Sequence, residues 1–213
     1  MEYITLKELY QRMQEVAGPS GWWPADSKEE ILLGAILVQN TNWQNAARSL
    51  ENLKTATGFH PEKLAALSRT QIKELIRPSG FYENKSRAIY ELVQKLSDAG
   101  FDYQGIQQEK GETLRAHLLA FHGIGPETAD VLRLYVFEQV AFVADSYARR
   151  LFSQLGLGPL GTYAVLAKQV NLTDFSLEEA QDFHGQIDEF GKCYLQGKNR
   201  FEESFLKDYR LLL

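Results

Sequence analysis

Apolar residues recur at spacings of three and four along nearly the whole chain, and no run of alternating β-branched residues interrupts them, so the pattern predicts an all-α protein. In SKEEILLGAILV, Ser27 stands three residues before Glu30 as a capping box and opens a helix apolar enough to be buried; Asn40 and Thr41 end it. A second helix carries Trp43, Ala46, Ala47, Leu50 and Leu53 on one face and closes at Gly58 and Pro61. Short helices follow around 62–67 and 70–77. RPSGFYENKSRAIYELVQKLSDAG turns at Pro78 and Gly80, then runs as a long amphipathic helix to Gly100. GETLRAHLLAF and PETADVLRLYVFE read as two helices joined by a few residues. Beyond VAFVAD a helix spans about 146–155 and GTYAVLAKQV gives another. SLEEAQDFHGQIDEFGKCYLQG opens on a second capping box, Ser176 with Glu179. There is no low-complexity linker and no repeat of solenoid period.

Composition narrows the picture. A chain of 213 residues, 44% hydrophobic and 24% charged, fits one or two globular domains with a sizeable core. A single cysteine, Cys193, excludes an intramolecular disulfide and any four-cysteine metal site. The four histidines, His60, His117, His122 and His184, have no HExxH spacing. The N-terminal MEYITLKELYQRMQEVAG mixes charges with apolar residues too closely for a signal sequence or a membrane span, so a cytoplasmic protein with no membrane partner is expected. A net charge of -5 argues against a broad nucleic-acid-binding surface. Any contact with DNA must be local.

Such a local contact is legible in LLAFHGIGPETADVL, residues 118–132. Gly123 and Gly125 can take positive φ between two helices, and Pro126 suits the first position of the second. Backbone N–H groups at that helix start can bind a phosphate without a lysine. The plainer reading is a tight turn between packed helices.

Asp145 stands eighteen residues after Glu127, within VADSYARRLFSQLG. Together, LLAFHGIGPETADVLRLYVF and VAFVADSYARRLFSQLG resemble the helix-hairpin-helix plus Gly/Pro/Asp signature of the endonuclease III superfamily of base-excision DNA glycosylases. The resemblance extends to LLGAILVQNTNWQNAARSL, IRPSGFYENKSRAI and FHGQIDEFGK. Within the superfamily, WWP at 22–24, QNTNW at 39–43 and GPETAD at 125–130 are most similar to the 3-methyladenine DNA glycosylases and their endonuclease III-related neighbours.

Three departures shape what the resemblance implies. Bifunctional members place a lysine nucleophile where this chain has Glu127, so no Schiff base can form there and water becomes the expected nucleophile. Many relatives hold an iron–sulfur cluster on four cysteines near the C-terminus; with Cys193 alone, none can form. His122 replaces a usual proline but leaves the hairpin glycines intact.

The resemblance makes Asp145 the catalytic carboxylate, orienting water and stabilising an oxocarbenium-like sugar. It also precedes a helix, where an aspartate is ordinarily an N-cap whose hydrogen bonds and helix dipole favour the ionised form. Glu127 is placed by the resemblance at the base pocket, although an acid in a first helical turn also suits the dipole. Trp22, Trp23, Pro24 and Trp43 are assigned to the flipped base. Indole faces attract a cationic methylated purine by about 1–3 kcal/mol per stack, and at least one of these tryptophans is expected to be core. Gln39 is assigned the gap that the extruded nucleotide leaves, with an ordinary exposed helix end as the alternative. Lys192, four residues after Asp188, reaches either the pocket or an i,i+4 ion pair. Gly123, Ile124, Gly125 and Thr128 are the DNA-docking residues, and Tyr82 and Lys85 are further candidates for the backbone, equally explained by packing and solvation. The carbonyls of Leu119, Phe121 and Ile124 match those that hold a monovalent cation, Na+ or K+, at superfamily hairpins. No organic cofactor is expected.

Taken together, the resemblance implies two helical domains with the substrate cleft between them: a six-helix barrel over 29–136 and a second domain of 1–28 with 137–213. The implied function is a monomeric, monofunctional glycosylase that acts on double-stranded DNA with a damaged base, typically 3-methyladenine. A bifunctional enzyme for oxidised pyrimidines would need another amine such as Lys192, and a noncatalytic DNA binder is the third reading. Arg149 and Arg150 are basic residues suited to a docking surface.

Overall fold

The computed structural model describes residues 1–197 and 200–213. The chain divides into two compact units, one made of Met1–Pro24 with Val140–Leu213 and the other of Ala25–Gln139. The all-α expectation holds, with one addition: β1 (Glu2–Thr5) pairs in parallel with β2 (Tyr209–Leu212), from Glu2 opposite Tyr209 to Thr5 opposite Leu212. Four-residue strands are too short for alternation to separate them from helix ends, so periodicity missed them. Ile4 and Leu211, partners in this register, are both buried.

In the unit of Ala25–Gln139, α2 (Lys28–Leu37) is the central helix. Leu32, Leu33, Ile36 and Leu37 are all buried, because α3 (Trp43–Thr57), α6 (Tyr82–Asp98) and α9 (Pro126–Tyr135) pack around it. Ser27 caps α2 through the Glu30 N–H at 3.2 Å, but the expected box is not closed on Ser27: the Glu30 carboxylate accepts from the Asp26 N–H instead, at 2.9 Å. Asn42 caps α3, and Gly58, in the left-handed region at φ 62°, ends it. The shorter α4 (Pro61–Ala65) and α5 (Arg69–Leu75) pack on α6, while α7 (Tyr103–Lys110) and α8 (Leu114–Leu119) lead to the hairpin.

The other unit is organised on α12 (Leu177–Phe190), whose Ser176–Glu179 capping box is closed at both hydrogen bonds. Packed against it are α1 (Leu6–Ala17) and α10 (Ser146–Phe152); α11 (Tyr163–Ala167) packs on α10. Aromatic rings fill the core between them. Phe183 lies 5.5 Å from Phe175 and 5.8 Å from Tyr10, centroid to centroid, and Phe190 lies 5.6 Å from Phe205. Among the described residues no helix is long and apolar enough to cross a membrane.

Candidate functional site

The hairpin runs from α8 through residues 120–125 into α9. Pro126 occupies the first position of α9, where its missing N–H costs nothing, as the sequence predicts. Only one of the two glycines needs its freedom. Gly123 has φ 75° and an added Cβ would lie 3.1 Å from the Ala88 Cβ, whereas Gly125 is an extended N-cap with φ -89°. Buried Asp130 ties the two helices together: Arg115 donates to it with Nε at 2.9 Å and Nη2 at 3.1 Å, and Arg133 adds Nη1 at 2.9 Å. A carboxylate answered by two guanidinium groups tolerates that burial.

The QNT segment is fastened to this hairpin. Gln39 Nε2 donates to the Gly123 carbonyl at 3.2 Å and to the Thr128 hydroxyl at 2.8 Å. Thr128 is buried, and so is the Ile124 side chain, which leaves Ile124 only its backbone to offer. Lys85 is also buried rather than on the surface. Its Nζ donates to the carbonyls of Leu37 and Ser79, both at 2.8 Å, and burial pushes its pKa down to about 8. It thereby anchors the last residue of α2, two residues before Gln39. Tyr82 meets Arg77 and Lys73 by cation–π contact. Trp43, at the first position of α3, and Glu127, in the first turn of α9, both lie at the surface of this unit.

In the other unit, Asp145 caps α10, accepting the Ala148 N–H at 2.7 Å. The cap is as predicted, but its protonation is not. Burial of the carboxyl outweighs the Ala148 N–H, and neighbouring Asp188 adds like-charge repulsion, so the pKa is pushed up to about 6 instead of being held low. Asp188 projects from α12 and pairs with Lys192 at 2.5 Å, with Glu189 also pairing Lys192 at 2.9 Å. Burial opposes the lysine's charge, but the two carboxylates overcome it and raise the Lys192 pKa. His184, buried one turn before Asp188, is pushed down to about 4 by desolvation.

Trp22 joins this cluster across Gly185 of α12, and bulk is excluded again at Gly191, just past the end of that helix. An added Cβ on Gly185 would meet the Trp22 Cβ at 2.4 Å, and one on Gly191 would meet the Tyr147 ring. Asp182 accepts the Ser20 N–H at 2.6 Å, and the buried Gln186 side chain donates to the Gly18 carbonyl, so residues 18–22 are strapped across Gly185. Lys192 Nζ stands 4.6 Å from the Trp22 ring centroid, and Trp23 lies beside Trp22 at 5.6 Å, followed by exposed Pro24. The buried Trp22 Nε1 has no hydrogen-bond partner among the described residues.

The predicted residues thus gather in two groups. Asp145, Trp22, Trp23 and Lys192 share the unit built on α12; Gln39, Gly123, Ile124, Gly125 and Thr128 share the hairpin of the other unit. Sequence reasoning missed Asp188, Asp182 and Gln186 as parts of the site. Their only signal was polar positions interleaved with Phe183, Ile187 and Phe190 in DFHGQIDEF. Among the described residues no group of three His, Cys, Asp or Glu could hold a metal ion, and exposed Cys193 alone does not fit an iron–sulfur cluster. A hairpin cation would use carbonyls instead. That of Phe121 already accepts the Ile124 N–H at 3.2 Å, which leaves the second lone pair of that oxygen.

Comparison with known proteins adds an independent line. The family model described as HhH-GPD superfamily base excision DNA repair protein matches residues 33–169. The chain is 32% identical to the "Putative DNA repair glycosylase MJ1434" of Methanocaldococcus jannaschii, over 99% of this chain and 97% of that one. It is 28% identical to endonuclease III of Sulfolobus acidocaldarius over 84% and 79% of the two chains. Among solved structures, the H. pylori 3-methyladenine DNA glycosylase bound to 1,N6-ethenoadenine is 31% identical, with a TM-score of 0.69 over 87% of this chain and 96% of that one. A trapped endonuclease III–DNA covalent intermediate shares the fold, with a TM-score of 0.74 at 19% identity over 94% and 92%.

Proposed function

Because the chain belongs to the HhH-GPD superfamily of base excision DNA repair proteins, we propose that it is a monofunctional DNA glycosylase that removes alkylated purines, 3-methyladenine foremost, from duplex DNA. The observation that carries this reading is Asp145, held as the N-cap of α10 in the same compact unit as Trp22, Trp23 and Lys192. Similarity to a 3-methyladenine glycosylase solved with a modified adenine supports the choice of substrate.

In this account the duplex docks on the backbone N–H groups of Gly123 and Gly125 before α9, while Ile124, whose N–H is held by the Phe121 carbonyl, keeps the turn that presents them. Gln39 leaves its rest on Gly123 and Thr128 to fill the gap behind the extruded nucleotide. Trp43 and Glu127, exposed on the hairpin unit, are assigned to the flipped base, the indole for stacking and the carboxylate for attracting a cationic purine. A Na+ or K+ at the carbonyls of Leu119, Phe121 and Ile124 would supply positive charge to a phosphate.

The base stacks on Trp22 and Trp23. The Trp22 ring already holds the Lys192 ammonium, an internal precedent for binding a cationic purine. The C1′–N bond then breaks, its electron pair going to the base, so that a cationic methylpurine departs neutral. Positive charge left on the sugar is stabilised by the Asp145 carboxylate; a water oxygen bonds to C1′ and gives its proton to Asp145. A pKa of about 6 leaves that carboxyl mostly ionised at neutral pH yet basic enough to take the proton.

Water rather than an amine is favoured as nucleophile on two grounds. Glu127 stands where the resemblance puts the Schiff-base lysine, and Lys192 is held as an ammonium by Asp188 and Glu189. The test is to incubate the protein with methylated duplex, quantify free base by chromatography, and treat a parallel sample with borohydride. Free 3-methyladenine with no trapped complex is the expected result. A borohydride-trapped protein–DNA adduct would replace this reading with a bifunctional one, and release of no base from alkylated or oxidised duplex would leave a noncatalytic DNA binder.

A further inference from the structure

An open groove of about 610 Å³ runs along α10 and the π turn that follows it, beginning at Ser146, the residue after Asp145. Its polar lining is Ser146, Arg149, Arg150, Ser153 and Gln154, and among the described residues no carboxylate lines it. In a chain of net charge -5 that is a local concentration of positive charge, answered in part by Asp145, which Arg149 faces electrostatically. Neither arginine is in an ion pair among the described residues. Both are nevertheless fixed. Arg149 Nη1 donates to the Ala144 carbonyl at 2.9 Å and Arg150 Nη1 to the Leu195 carbonyl at 3.2 Å, so each guanidinium is braced at one nitrogen with others left to face a ligand. Braced guanidinium forks beside hydroxyl and amide groups are suited to phosphate oxygens.

We propose that this groove receives backbone phosphates of the DNA strand that carries the damaged nucleotide. The assignment rests on the glycosylase reading, because it is Asp145, at the groove's edge, that faces the sugar of that strand. From Asp145 to Gln154 the chain rises roughly 13 Å along a helix axis, and phosphates recur about every 3.4 Å of axis on one strand. The groove therefore spans more than one phosphate. It accounts for how an acidic protein adds charge-based affinity to backbone docking at a hairpin, and it places that charge beside the reacting sugar.

The test measures binding to a duplex bearing an abasic-site analogue by fluorescence anisotropy across a salt series, with base release from methylated duplex assayed in parallel. Arg149→Gln and Gln154→Glu are the probes. The second removes no described hydrogen bond and places a carboxylate against phosphate. Each is expected to weaken binding severalfold, and Arg149→Gln to lower the slope of log affinity against log salt by about 0.9 for each phosphate it no longer neutralises. Lys63→Gln, at an exposed position of α4, serves as a control that leaves both unchanged. Wild-type affinity and slope in both groove variants would overturn the proposal. So would tripolyphosphate that binds wild type but not Arg149→Gln while duplex affinity stays equal, since the groove would then serve a free polyphosphate. A wild type that binds duplex but releases no base would defeat the glycosylase reading alone, and the variants would still decide the groove.

Discussion

Asp188 and Lys192 are paired at 2.5 Å one turn apart on the same helical run, and this pair sets the charge around both Asp145 and Trp22. The carboxylate repels the ionised form of Asp145, while the ammonium it holds lies against the indole. One partly buried acid thus influences the group assigned to the sugar and the surface assigned to the base.

Replacing Asp188 by Asn removes the like charge and should let Asp145 ionise at lower pH. The acid limb of kcat/KM, expected near pH 6 in the wild type, should move down in Asp188→Asn. A pH profile on methylated duplex checks this. An unmoved limb would mean that burial alone sets the Asp145 pKa.

Asp145 and His184 should drive stability in opposite directions over one pH window. The folded pKa of Asp145 is raised, so its contribution is present below pH 3.8 and is lost as pH rises through about 6. That of His184 is lowered, so its contribution is present above pH 6.5 and is lost as pH falls through about 4. Each effect is on the order of 3 kcal/mol at most, and in the wild type they largely offset. Urea unfolding near the two ends of this window should therefore show stability rising with pH in Asp145→Asn and falling with pH in His184→Leu. Slopes of the same sign in the two variants would contradict the assignment.

How far these features can be read from the sequence follows from how local each one is. Ser176 with Glu179, Pro126 and the Asp145 cap depend on residues a few positions apart, and all appear in the structure. The Asp145 pKa runs against its sequence expectation because a cap is local and desolvation is not. For the same reason the sequence leaves Lys85 open between DNA contact, packing and solvation: its partners, Leu37 and Ser79, become neighbours only when α2 and α6 pack. β1 and β2 come from opposite ends of the chain, and no local pattern announces their pairing. The motif resemblance supplies the candidate residues and implies two domains, but contacts among those residues, such as Lys192 against Trp22 and Gln39 on Thr128, need coordinates.

Gly185→Ala should damage the base site selectively. The new methyl group meets the Trp22 Cβ and Ser20, so residues 18–22 must shift, at a cost of roughly 1–3 kcal/mol. Thermal unfolding should report the loss, and base release should fall while binding of undamaged duplex, which relies on the hairpin and on the α10 groove rather than on Trp22, is retained. Equal loss of both activities would show that the strap does more than present Trp22.

The central claim is that Asp145 directs water at the sugar while the DNA strand stays intact. Release of 3-methyladenine from methylated duplex by wild type and Asp145→Asn, with strand integrity followed on the same samples, tests it most directly. The account predicts free base and intact strands from the wild type, and loss of release in Asp145→Asn with duplex binding preserved. Base release by Asp145→Asn at the wild-type rate would contradict it.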